Sequence, residues 1–271
     1  MAAGPAPFPS LKRNEQRGSK PRCHLLTHGP APAVAERLSR LCAPFATVSP
    51  TDQWMPKGFE VLTECQLHKR SPVLNSVLCE KLAAWWLPER QTDDRTPNID
   101  IAATCSIGDR PGLLLIEAKA HDQELIHESA GRRLHATDKA ESQARREASH
   151  KTIGKAIAEA KTGLSTASGL TYQISRDTCY QMSNRFAWSW KLAAEGIPVV
   201  LIYLGFLDAD DMADKGKPFR SHQQWEDLVK DHGDGIVPRQ CWESPCKVNG
   251  QTFVPIIRTL AIPLTPFPHH S

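Results

Sequence analysis

Hydrophobic residues fall into blocks of different spacing along this chain, and each block predicts an element. Two short apolar runs, 99–105 and 113–118, flank a segment holding Gly108, Asp109, Pro111 and Gly112. Apolar runs bounded by turn residues predict two buried strands joined in a hairpin. Upstream, PVLNSVLCEKLAAWWL places Val73, Leu74, Val77, Leu78, Leu82, Trp85 and Trp86 on one face, between Pro72 and Pro88. That spacing predicts a core-facing helix over 72–87. Asp138 with Glu141 three residues on predicts the capped start of a basic helix, with Gly163 after its end. In DTCYQMSNRFAWSWKLAAEG, the stripe Cys179, Met182, Phe186, Trp190 and Ala193, widened by Trp188, predicts a buried helix capped by Ser175 or Asp177 and ended by Gly196. GIPVVLIYLGFL follows, a continuous apolar run of the kind a strand buried on both faces shows.

The flanks are less patterned. Residues 1–50 are rich in Ala, Pro and Gly, with Lys12, Arg13, Arg17, Lys20 and Arg22 clustered early. They predict a flexible basic segment with one short helix near 34–41. PERQTDDRTP reads as a loop. Beyond Asp208 come an acidic loop, a helix capped by Ser221 with Gln224 three on, and an Asn249-Gly250 hairpin, all expected to be peripheral. The main domain is therefore expected over 51–265.

Composition narrows the class. A chain of 271 residues with 40% hydrophobic content supports one large domain with appendages. A net charge of +3 is too small to demand a nucleic-acid partner by itself. No apolar run reaches the length of a membrane helix and no secretory signal is expected. Eight cysteines without Cys-x-x-Cys spacing predict free buried thiols in a reducing, cytoplasmic setting. No Walker-type phosphate loop is present, which argues against ATP-driven activity.

Charged groups inside the hairpin runs change the picture. Asp100 lies in the first run, and Glu117 and Lys119 in the second. Strand alternation puts Glu117 and Lys119 on one face, and folding about Gly108-Asp109 puts Asp100 opposite Glu117. Two carboxylates that close repel unless they share a proton or a cation. Mg²⁺, with Mn²⁺ as a substitute, resolves the conflict, because it takes one or two carboxylates plus waters and substrate phosphate. Lys119 then stands beside the ion, where it could orient a water. An exposed Glu-x-Lys pair would be ordinary, but LLLIEAKA is too apolar for an exposed edge.

Asp100, Glu117 and Lys119 resemble the signature of the PD-(D/E)xK phosphodiesterase superfamily, the restriction-endonuclease-like nucleases. The resemblance covers residues 71–206, with Ile99 where the family has Pro before the Asp. It implies an α/β fold with an αβββαβ core and a mixed central sheet flanked by helices, here with a helical insertion and a C-terminal extension. The strand the family places before the Asp strand is missing, very short, or upstream near 59–62. In that family the first helix often sends a Glu to the metal, which makes Glu80 the candidate third carboxylate, or else a surface residue; Glu64 is the alternative. Gln181 is similar to the helix Gln of the RecB-like branch, with Arg185 where that branch has Tyr. Gln181, Asn184 and Arg185, with His121 after the second strand, are candidates for holding phosphate or the water network, against a plain core hydrogen-bonding role. The resemblance thus implies a metal-dependent endonuclease acting on DNA, with a homodimer left open, while the lack of a long apolar run predicts no membrane partner. The alternatives are a non-catalytic nucleic-acid-binding or scaffold protein on the same fold, and a Mg²⁺-dependent hydrolase of a small phosphate ester.

Overall fold

A computed structural model describes residue 8 and residues 10–87, 96–132, 134 and 140–264. The expected cap at Asp138 lies outside them, as does Pro88. Among the described residues the helices are α1 (Ser19–Leu26), α2 (Ala31–Cys42), α3 (Ser76–Trp86), α4 (Asp122–Ile126), α5 (Ala140–Ser168), α6 (Tyr180–Ala194) and α7 (His222–His232). The strands are β1 (Trp54–Met55), β2 (Cys65–Gln66), β3 (Asn98–Ile99), β4 (Ile101–Ile107), β5 (Arg110–Lys119), β6 (Val199–Leu207), β7 (Cys246–Val248) and β8 (Gln251–Ala261). Among the same residues, six strands form one mixed sheet in the order β1-β4-β5-β6-β8-β7, and β2 pairs with β3 separately. β4 and β5 are antiparallel, and β6 runs parallel to both β5 and β8. The chain is therefore α/β, with helices on both faces of a mixed sheet.

Alternation along β5 sorts the two cores. Leu114, Ile116 and Ala118 face α1 and α2, packing with Leu26, Val34 and Leu38. Leu113 and Leu115 face the other way, toward α3, α5 and α6, with Trp86, Ile157, Phe186 and Trp188. A strand apolar on both faces reads as an unbroken run, and burial of both faces is what permits it. Trp85, Trp86 and Trp188 lock α3 to α6, with ring centroids 5.0 Å apart for Trp86 and Trp188.

Several expectations need correction. The N-terminal segment is not a flexible tail from residue 10 onward: α1 and α2 cover one face of the sheet. Its stripe of Val34, Ala35, Leu38 and Leu41 is buried against Ile101 and Ala103, apolar area that no tail would retain. α3 starts at Ser76, not at Pro72, because the Asn75 side chain accepts the Leu78 N–H at 2.9 Å and sets the N-cap there. α6 follows Cys179 in a left-handed conformation, without a side-chain cap from Ser175 or Asp177. Gly163 does not end its helix. α5 runs on to Ser168, with Gly169 at φ 72° after it. Gly163 is instead where α5 meets Trp190, whose Nε1 would lie 2.2 Å from a Cβ there. The short strand before the Asp-bearing one is β1, at Trp54–Met55 and not at 59–62.

The C-terminal segment is not peripheral. Asn249 and Gly250, both at positive φ, turn β7 back into β8, and β8 lies beside β6 with Phe253, Val254 and Ile256 fully buried. Pro255 lies within β8 and has no N–H to give the ladder. The Pro255 carbonyl accepts from Glu243 N on the side away from β6, so the missing N–H faces that edge too.

Candidate active site

The hairpin register brings the charged groups together. Ile107 faces Arg110 and Ile101 faces Ile116, as folding about Gly108-Asp109 requires. Continuing it by one residue places Asp100 across from Glu117. Asp100 sits at the break between β3 and β4, where the chain passes from the small sheet into the large one. There its Oδ2 accepts the Ala118 N–H of β5 at 2.8 Å. Glu117 and Lys119 continue the face of Leu113 and Leu115, so they point under α6. They are 1% and 7% exposed.

The helix supplies partners for Glu117. Arg185 Nε donates to Glu117 Oε2 at 2.5 Å, and its other nitrogens reach the Asn98 carbonyl at 2.6 Å and Asn184 Oδ1 at 2.8 Å. Gln181 Nε2 donates to Glu117 Oε1, which also accepts from Lys119 Nζ at 2.6 Å. The (i, i+4) spacing of Gln181 and Arg185 on α6 aims both at one carboxylate. Asn184, Gln181 and Arg185 thus enter the cluster, the first through Arg185.

Glu80 and His121 do not. Glu80 is solvent-exposed on α3, on a helix turned inward through Leu78, Cys79 and Leu82. His121 is buried, but it packs on the 216–218 loop: it bridges Pro218, and its Nδ1 would lie 2.4 Å from a Cβ at Gly216. Glu64 is nearer the cluster than Glu80, accepting from Asn98 Nδ2 at 2.8 Å and pairing with Lys20 at 3.3 Å. Two participants were not foreseen. Glu128 forms an ion pair with Lys119, and Tyr203 of β6 stands in register beside Glu117. Glu128 sits in an irregular polar stretch, where no periodicity marks an inward residue. Tyr203 is hidden within a run that is otherwise wholly apolar.

The cluster holds three carboxylates against two cations. Burial first, then the charge of Glu117, pushes the Asp100 carboxyl up to about 8, against the pull of Lys119. Burial also pushes Glu117 upward, but Arg185 and then Lys119 outweigh it and hold it below the usual carboxylate range. Burial lowers Lys119, yet Glu117 and Glu128 together raise it, so the ammonium is kept charged. Glu128 is pushed up to about 7, chiefly by burial.

The inward donors fit a hard divalent ion in one respect: Asp100 and Glu117 are two carboxylates, and Mg²⁺ commonly takes one or two, with waters and substrate completing its set. A cation between them would relieve the repulsion that raises Asp100. Among the described residues no group of three or more His, Cys, Asp or Glu side chains is arranged to hold a metal. Compared with protein-family models, with curated proteins and with solved structures, the chain matches none of them.

Proposed function

We propose that this chain is a metal-dependent nuclease that hydrolyses phosphodiester bonds, in DNA before RNA, through Asp100, Glu117 and Lys119. One observation carries the reading: the hairpin register places Asp100 against Glu117, with Lys119 on the same face at the end of β5. The order of elements supports it. Helices α1 and α2 precede β1, β2, α3 and β3 intervene before antiparallel β4 and β5, and a helical crossover leads into parallel β6, an order compatible with the αβββαβ plan that the resemblance implies. In this reading Glu64, which accepts from Asn98 Nδ2, replaces Glu80 as the additional carboxylate.

Asp100 and Glu117 would hold Mg²⁺ or Mn²⁺, which when bound polarises a phosphodiester and acidifies a water. Lys119, kept protonated chiefly by Glu117, orients the attacking water and offsets negative charge building on phosphate. Arg185 and Gln181 fix the carboxylate plane of Glu117, and Asn184 fixes Arg185. The cysteines described are all unpaired, in keeping with a proposed cytoplasmic setting. Among the described residues no helix is long and apolar enough to cross a membrane.

A second reading, a nucleic-acid-binding or scaffold protein without catalysis, is favoured by one fact. Both oxygens of Glu117 and the ammonium of Lys119 are already engaged within the protein. The deciding experiment is cleavage of plasmid and single-stranded DNA with Mg²⁺ or Mn²⁺, for wild type and Lys119→Ala. Cleavage that needs metal and falls by about 10²-fold or more in the variant, with DNA binding kept, supports the nuclease. DNA binding without cleavage in either protein supports the scaffold.

A further inference from the structure

A short strap closes over Lys119. Between the end of β5 and residue 132 the chain leaves the sheet, forms α4 and a 3₁₀ turn at His127–Ser129, and crosses the N-terminal end of α6. It is fastened at both ends. At the first, Asp122 Oδ1 accepts from Lys217 N at 2.8 Å. At the second, Ala130 bridges Thr178, and Arg132 N donates to the Arg176 carbonyl at 2.8 Å. Gly131 lies so near Asp177 that a Cβ would come within 2.1 Å of its carbonyl oxygen.

Glu128, midway along the strap, reaches Lys119. The two side chains are 9% and 8% exposed, and Glu128 Oε2 is buried with no hydrogen-bond partner among the described residues. With Glu117 on one side and Glu128 on another, the ammonium already has two carboxylate partners and little exposure to an incoming anion. Any phosphodiester that uses Lys119 must first replace Glu128, which has the same charge and the same kind of acceptor oxygen. Few apolar side chains of the strap resist that exchange: Ala120 and Leu125 are buried, whereas Ile126 is 44% exposed. Segments with few buried apolar contacts open at low free-energy cost.

We propose that Glu128 is an internal stand-in for the substrate phosphate, holding Lys119 in the resting protein until a nucleic-acid phosphodiester displaces the 120–132 strap. The proposal rests on the nuclease reading, and its test separates the two. Hydrogen–deuterium exchange over 120–132, with and without inorganic phosphate, is measured beside steady-state cleavage of a labelled oligonucleotide with Mg²⁺. Wild type, Glu128→Gln and Leu125→Ala are compared; the last loosens the strap without touching Lys119 and serves if the first does not fold. Removing the closed state should speed exchange and lower KM by up to about tenfold, with kcat little changed. Phosphate should speed exchange in wild type.

A kcat loss of about 10²-fold at unchanged KM in Glu128→Gln would make Glu128 part of the chemistry and overturn the gate. Exchange that neither variant nor phosphate alters overturns it whether or not the protein cleaves DNA. Exchange that responds to both, with no cleavage by any protein, keeps the gate over an anion site and rejects the nuclease.

Discussion

Arg185 and Glu117 form a buried ion pair, Nε to Oε2 at 2.5 Å with side chains 4% and 1% exposed, that ties α6 to the middle of the sheet. A pair this deep contributes less to stability than its short distance suggests, because both charges were taken out of water. Breaking it is another matter. Arg185→Met leaves Glu117 with Lys119 as its charged partner, and it should lower unfolding free energy by about 3–5 kcal/mol. Arg185→Lys keeps the charge but cannot reach Glu117, Asn98 and Asn184 together, so it should still cost about 1.5–3 kcal/mol. Urea unfolding of the three proteins checks both, with rescue by Lys to wild-type stability as the outcome against this account.

Asp100 predicts a trade between stability and metal binding. Its carboxyl is raised to about 8 in the folded protein from an ordinary value near 3.8. The native state therefore binds the proton more tightly than the unfolded chain. Between those two values its contribution falls as pH rises, and the favourable part is complete only below the lower one. Asp100→Asn keeps an acceptor for Ala118 N and removes the ionisation. Without metal it should be more stable than wild type by about 1–2 kcal/mol at pH 8, and so melt higher, a gap that closes toward pH 4. Mg²⁺ should raise the wild-type Tm more at pH 8 than at pH 5.5, and leave Asp100→Asn unmoved. Scanning calorimetry at the three pH values is the measurement.

Glu80 should be dispensable. It is exposed on α3 while the carboxylates of the cluster are turned inward under α6. Glu80→Gln should change stability by less than about 0.5 kcal/mol and leave any metal-dependent cleavage at the wild-type rate. Glu64→Gln, beside Asn98, should reduce that rate. A Glu80→Gln protein with its cleavage abolished would restore the first assignment.

Gly163 offers a test in which the sign decides. Within an exposed helix, Gly→Ala stabilises by about 1 kcal/mol. Here the new Cβ would fall 2.2 Å from Trp190 Nε1. Gly163→Ala should destabilise by about 1–3 kcal/mol as α5 is pushed off α6. Paired with Trp190→Phe, which removes the indole N–H edge, much of that loss should return. Chemical denaturation of the single and double variants reports it.

Elements whose evidence is local were legible in the chain. A continuous apolar run had to be a strand covered on both faces, so β5 and β6 were legible from composition alone. Folding about Gly108-Asp109, assumed from the turn residues, gave the observed register, and with it the approach of Asp100 to Glu117. The Gln181 and Arg185 pair was visible as polar groups on an otherwise apolar helix, which need partners. Other features depended on contacts between distant segments. Whether α1 and α2 were a tail or a layer depended on a sheet face far along the chain. Whether Gly163 ended a helix or admitted Trp190 depended on α6, and whether Pro255 could sit in the sheet depended on which of its sides carried an edge. Glu128 had no pattern at all to mark it. Its place against Lys119 is set by where the strap is fastened to Thr178 and Lys217, and such long-range closure is the information that spacing along a chain does not carry.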